Sequence, residues 1–254
     1  MIGHLRKAAR LFHPESRRTV ILPLDHGLSE GSIAGLEDPG EVLRAARALP
    51  IQAVVLHKGM TMAHGGEVRL DQALVVHLSA GTRHGLPPYS KALVCSVPEA
   101  LRLGADMVSM HINIGNDLED RMLADLGACV EDAHQLGLPL LAMIYARGGQ
   151  IVNETDPVLV AHSIRIGAEL GADVIKVPYC GNPQSFGRAV SACPAPVVVS
   201  GGPRNGDFRV FVRTLREALD AGAAGVCVGR NAFQQENPAK AMQEICALVH
   251  GGTA

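Results

Sequence analysis

The chain has 254 residues, of which 47% are hydrophobic, and carries a formal net charge of −2. That length suits one α/β barrel with a single core, and the near-neutral charge without a basic cluster argues against nucleic acid as the main partner. Aromatic residues make up 3% and tryptophan is absent, which removes the stacking platforms of single-strand binders, and no apolar run is long enough to cross a bilayer.

Residues 1–17 carry scattered charges and lack the apolar stretch of a secretory signal. Within them Leu5, Ala8, Ala9, Leu11 and Phe12 fit one face of a short helix, expected to cap the bottom of the barrel. Short β-branched runs follow at 19–25, 53–58, 74–79, 106–113, 140–145, 173–178, 196–202 and 225–230. Helical patterns separate them, such as PGEVLRAARAL and DPVLVAHSIRIGAELG, and most of these end in glycine, as a helix C-terminus prefers. A ninth run at 91–96 reads as an accessory strand before the helix PEALRLG, or competes with 74–79 for third place in the sheet. Near-continuous apolar strands alternating with helices indicate a parallel sheet. Eight such units without linker or repeat favour a closed (β/α)₈ barrel, one domain over 1–254. The six cysteines form no C-x-x-C pair and sit in apolar stretches, so they are expected to be reduced core thiols of a cytoplasmic protein.

In such a barrel the chemistry belongs at the C-terminal strand ends. The first strand exits through Asp25, His26 and Gly27, with Leu28 and Ser29 beyond, and the second through His57, Lys58 and Gly59. His111 and Asn113 close the fourth, and Tyr145, Ala146 and Arg147 the fifth. The seventh ends in Ser200, Gly201 and Gly202, the eighth in Gly229, Arg230 and Asn231. Lys176 lies inside the sixth strand, between Ile175 and Val177, and must face either the barrel interior or the helix layer. Burial there disfavours the ammonium and supplies the neutral amine that attacks a carbonyl. Lys58 or Arg147 nearby would push the same way. The alternative is a structural lysine paired with Asp25 or Asp173. Tyr145 is placed to exchange a proton with a substrate hydroxyl beside an iminium, or is an ordinary core tyrosine. Asp25 is able to steer Lys176 or move a proton, or caps a turn. The glycine exits of the last two strands, with helix N-termini and Arg230, suit a phosphate, although glycines also serve turns. Lys58, His111 and Asn113 are candidate contacts to an acceptor. His26, His57, His77, His84 and His111 match no compact ligand spacing, so neither a metal nor a cofactor is expected.

LDHGLSEGSIAGL, VVLHKG, VVHLSAGT, SMHINIG, MIYARG, GADVIKVPY, SGGP and GAAGVCVGRNAFQQENP span nearly the whole chain. In this order they resemble the archaeal-type class I aldolases, the DhnA/DeoC-like group. SMHINIG and DHGLSEGSIAGL are similar to its 2-amino-3,7-dideoxy-D-threo-hept-6-ulosonate synthase branch, with the fructose-bisphosphate aldolases next. The resemblance implies Lys176 as Schiff-base lysine, Tyr145 as proton donor and Asp25 as proton acceptor. It also implies sugar-phosphate contacts from Asp25 through Ser29, Tyr145 through Arg147, Gly201 with Gly202, and Gly229 with Arg230. The implied reaction joins a phosphorylated ketose, dihydroxyacetone phosphate or a deoxy-ketohexose phosphate, to an aldehyde, aspartate semialdehyde first. A class I fructose-bisphosphate aldolase and a non-catalytic sugar-phosphate-binding barrel are the alternatives, and a homo-oligomer is the expected assembly. Two departures from the family pattern, Ala146 for the common proline and the apolar Val177-Pro178-Tyr179 after the lysine, are expected to shape the donor or acceptor pocket.

Overall fold

The computed structural model describes residues 2–204 and 206–251, so residues 1, 205 and 252–254 of the expected 1–254 domain lie outside the described part. The first third of the chain holds α1 (Ile2–Arg10), β1 (Thr19–Pro23), α2 (His26–Glu30), α3 (Pro39–Ala46), β2 (Ala53–His57), α4 (Lys58–His64) and β3 (Ala73–His77). The middle holds β4 (Ser79–Ala80), β5 (Ala92–Leu93), α5 (Val97–Arg102), β6 (Met107–Ile114), α6 (Glu119–Gln135) and β7 (Leu140–Ala146). The remainder runs α7 (Pro157–Glu169), β8 (Val174–Val177), α8 (Pro183–Ser191), β9 (Val197–Ser200), α9 (Phe208–Asp220), β10 (Gly225–Cys227), α10 (Arg230–Phe233) and α11 (Pro238–His250).

Eight parallel strands close in the order β1-β2-β3-β6-β7-β8-β9-β10 and back to β1. These strands are buried on both faces, against helices outside and against each other inside, which is why they read as continuous apolar runs. Local chemistry agrees with the layout. Asp38, Ser96, Asp156, Asn182, Asp207 and Asn237 each cap a helix by accepting a backbone N–H. The run at 91–96 is accessory, as one of the two expected arrangements had it: β5 pairs antiparallel with β4, and β3 holds the third barrel position.

The N-terminal segment differs from the expectation. α1 buries no residue, and Leu5 is 65% exposed. The helix is tied to the N-terminal rim by polar contacts instead: His4 to Asp173 at 2.8 Å, and Arg10 to Asp106 at 2.8 Å. The apolar plug comes after the helix, where Leu11 joins the cluster filling the barrel and Phe12 packs against it.

Several strands also end sooner than expected, at Pro23, Val177, Ser200 and Cys227. Parallel pairing stops where the chain turns toward the next helix, so Asp25, Gly202 and Gly229 sit on rim loops rather than in the ladder.

Candidate active site at the C-terminal rim

Side chains alternate along a strand. On β8, Ile175 and Val177 pack in the outer core beneath the helices, whereas Val174 joins Ile21, Val55, Val75, Met143 and Cys227 inside the barrel. Lys176 shares the parity of Val174 and faces inward, level with Met143 on β7 and Val198 on β9. It is 7% exposed, and its ammonium lies 3.7 Å from the Met143 sulfur. Pairing with Asp173 does not occur, because that carboxylate is at the far end of the barrel between His4 and His134.

Asp25 precedes α2 but makes no side-chain cap hydrogen bond, so it is not a capping aspartate. Its carboxylate lies 3.8 Å from His77 Nε2 and 3.7 Å from His26 Nδ1. His77, on β3, is in turn fixed by a 2.7 Å hydrogen bond between Nδ1 and Ser109 Oγ on β6. His57, its register partner on β2, stands edge-on to it with ring centres 5.1 Å apart.

Burial by itself raises the Asp25 carboxyl, but His77, His26 and Lys176 outweigh it and hold the group well below the usual carboxylate range. Burial pushes His77 down to about 3 despite Asp25, so that ring is neutral near pH 7. Burial also lowers His26 and His57. The cation that faces Asp25 at neutral pH is therefore Lys176. For the lysine, burial favours the neutral amine, but Cys227, Tyr145 and Asp25 outweigh it and raise the group above the ordinary lysine range. Cys227 contributes only as a thiolate, and burial pushes that thiol up; around pH 7 the anion opposing burial is Asp25. The neutral amine expected from burial alone is therefore opposed by a carboxylate across the barrel, which favours the ammonium form of Lys176. Lys58 and Arg147 are not among the groups that chiefly move it; Lys58 pairs with Glu99 at 3.2 Å and Arg147 with Glu154 at 2.8 Å.

Tyr145, on β7, is half-buried at the rim. His111 lies 4.9 Å from its ring, and the Arg147 guanidinium sits 4.5 Å from the ring centre. Asn113 Oδ1 accepts a hydrogen bond from His111 Nε2 at 2.9 Å, and its amide nitrogen donates to the Tyr89 carbonyl at 2.6 Å. It therefore supports the 89–91 segment. Ala146 is buried in the β6–β7 ladder opposite Ile114. Tyr179, one of the departures from the family pattern, packs on Phe186 of α8, away from the barrel interior.

The last two exits are joined. Asn231 Nδ2 donates to the carbonyls of Gly201 at 2.8 Å and Pro203 at 3.1 Å, tying the loop after β9 to α10. Gly202 adopts φ +65 and has open space on its Cβ side. Gly229 fits against the β1 exit, where an added Cβ would come within 2.8 Å of the Pro23 carbonyl. Arg230 pairs with Glu30 at 3.0 Å, leaving its Nε buried without a partner. The α9 N-terminus does not contribute as expected: the helix begins only at Phe208, and the Asp207 carboxylate already takes its Arg209 N–H. Gly27, Leu28 and Ser29 lie in α2 at the rim, beside His57 and Lys58.

Among the described residues the five histidines named above form no metal-ligating group. The cluster that does come together is His4, His134 and Asp173, at the opposite end of the barrel. Sequence reasoning weighed His77 only as a metal ligand and Cys227 only as a core thiol, and it passed over Ser109 and Lys91. Their signal was the one that exposed Lys176, a polar or thiol group inside or beside an apolar strand.

The comparisons with known proteins agree with this architecture. A family described as "DeoC/LacD family aldolase" matches residues 19–235. The 2-amino-4,5-dihydroxy-6-oxo-7-(phosphonooxy)heptanoate synthase of Streptomyces griseus is 39% identical over 241 residues, 95% of this chain and 88% of that one. The 2-amino-3,7-dideoxy-D-threo-hept-6-ulosonate synthase 1 of Archaeoglobus fulgidus is 40% identical over 252 residues, 99% of this chain and 92% of that one. A solved archaeal fructose-1,6-bisphosphate aldolase, with its catalytic Lys covalently bound to the carbinolamine intermediate, superposes with a TM-score of 0.88 at 33% identity, covering 98% of this chain and 100% of that one.

Proposed function

This chain belongs to the DeoC/LacD aldolase family, and from that premise we propose that it joins dihydroxyacetone phosphate to aspartate semialdehyde through a Schiff base on Lys176. The donor and acceptor follow from disconnecting the product named for the Streptomyces griseus relative. In that seven-carbon acid the ketone is at C6 and hydroxyls stand at C4 and C5. An aldol bond therefore joins C4 to C5. Breaking it leaves a three-carbon ketone phosphate and a four-carbon amino aldehyde acid. The observation that carries the proposal is an inward lysine with a half-buried carboxylate and a phenol at the same rim.

Lys176, having given up its proton, adds to the ketone carbon, and loss of water yields an iminium. The hydroxymethyl carbon beside it loses a proton to give an enamine, with the iminium as electron sink. That carbon attacks the aldehyde, the new C4 oxygen takes a proton, and water releases the ketone and the amine. Tyr145 and Asp25 carry the protons, each balanced within the cycle. Asp25 matters twice, since the charge that holds the resting ammonium also stabilises the iminium that replaces it. Gly201, Gly202, Gly229 and Arg230 hold the donor phosphate, with Arg230 exchanging Glu30 for the phosphate.

Borohydride reduction with dihydroxyacetone phosphate, followed by peptide mass spectrometry, tests the reading. A reduced adduct on the Lys176 peptide, lost in Lys176→Ala, is the expected result. No adduct with a folded protein would sink it. Assaying condensation with aspartate semialdehyde beside cleavage of fructose 1,6-bisphosphate then separates this acceptor from the hexose-bisphosphate alternative.

A further inference from the structure

Lys91 takes no part in the chemistry above, yet it is 9% exposed and lies at the same rim. It enters from the β4–β5 ribbon, which Gly81 brings very close: an added Cβ there would sit 2.1 Å from the Ser90 carbonyl. Its ammonium meets one carbonyl, that of Gly81, at 3.4 Å. Among the described residues no carboxylate forms an ion pair with it, and it lines one cavity of about 280 Å³ with Arg147, Tyr89, Asn113 and Glu154, the carboxylate that holds Arg147. That cavity adjoins Tyr145, over whose ring Arg147 lies. Burial and Arg147 disfavour the charged lysine and outweigh the attraction of Asp25, so an ammonium held there without a paired anion is costly.

We propose that Lys91, with Arg147 beside it, binds the anionic group of the acceptor aldehyde and so selects acidic acceptors over neutral ones. The inference rests on the aldolase reading above and adds the acceptor subsite to it. The anion is a carboxylate in an amino aldehyde acid and a phosphate in an aldose phosphate. Donor phosphate is held on the other side of the rim, at the β9 and β10 exits, which leaves the β6–β7 side for the acceptor. Arg147 turns from Glu154 to the incoming anion, and Lys91 needs no such exchange.

The test is Lys91→Met, which keeps the stem and removes the charge, with Lys91→Arg as the charge-retaining control. Each is assayed with aspartate semialdehyde, glyceraldehyde 3-phosphate and neutral glycolaldehyde, and by borohydride trapping of the donor. The expected result is KM for the anionic acceptors raised about 10- to 100-fold in Lys91→Met, with glycolaldehyde and donor trapping unaltered and partial recovery in Lys91→Arg. Whichever anionic acceptor loses more identifies carboxylate or phosphate as the ligand. An equal loss with glycolaldehyde, or loss of donor trapping in both variants, overturns the assignment. Failure of the unaltered protein to trap the donor would refute the Schiff-base reading instead.

Discussion

Gly229→Ala places one methyl group at the junction of the β1 and β10 exits. Its Cβ would lie 2.7 Å from His26 Cε1, 2.8 Å from the Pro23 carbonyl oxygen and 3.1 Å from Phe233 Cε1. Ordinary carbon contacts start several tenths of an ångström farther out. The His26 ring has room to turn only by leaving its edge-on packing with Phe233, and the Pro23 carbonyl is backbone in the closed barrel. Overpacking of this kind costs about 1–3 kcal/mol. At roughly 2–4 °C per kcal/mol for a chain of this size, Tm should fall by about 2–12 °C. Scanning calorimetry measures that, and the half-saturating dihydroxyacetone phosphate concentration in borohydride trapping reads the phosphate side of the same joint, which should rise. Adding His26→Ala removes one of the three contacts, so the double variant should lose less than the two single losses combined. A Tm within about 1 °C of the parent, with trapping unchanged, would refute the reasoning.

Tyr145→Phe should lower kcat by about 10²–10⁴-fold, the usual worth of a positioned proton donor, while donor trapping on Lys176 persists; full turnover in this variant would remove Tyr145 from the proton path. Asp25→Asn tests the charge pair with Lys176. The Asp25 carboxyl is held below its unfolded value near 3.9, so its stabilising contribution is present above about pH 4 and is lost as pH falls toward the folded value. The Tm gap between parent and Asp25→Asn should therefore narrow from pH 5 to pH 3, and a constant gap would contradict the depressed carboxyl. Because Asp25 raises the Lys176 amine, the same variant should shift the rise of trapping with pH to lower pH.

Much of this protein is determined by sequence alone. A strand buried on both faces has to be apolar, so eight such runs separated by capped helices announce a closed parallel barrel. The same logic exposes Lys176, Tyr145 and Asp25, since a polar group in or just after such a run needs a reason to be there. Which face Lys176 takes was open, because alternation along one strand offers two answers and only its pairing with Met143 and Val198 chooses the interior. Its charge was read from burial alone for a related reason. Burial is readable from apolar neighbours in the chain, but the opposing carboxylate comes from the loop after β1, about 150 residues away in sequence. His77, Ser109 and Lys91 entered the rim in the same way, each from a different strand or ribbon. Electrostatics at the rim depends on distances across a closed barrel, and those exist only once β1 and β10 have met.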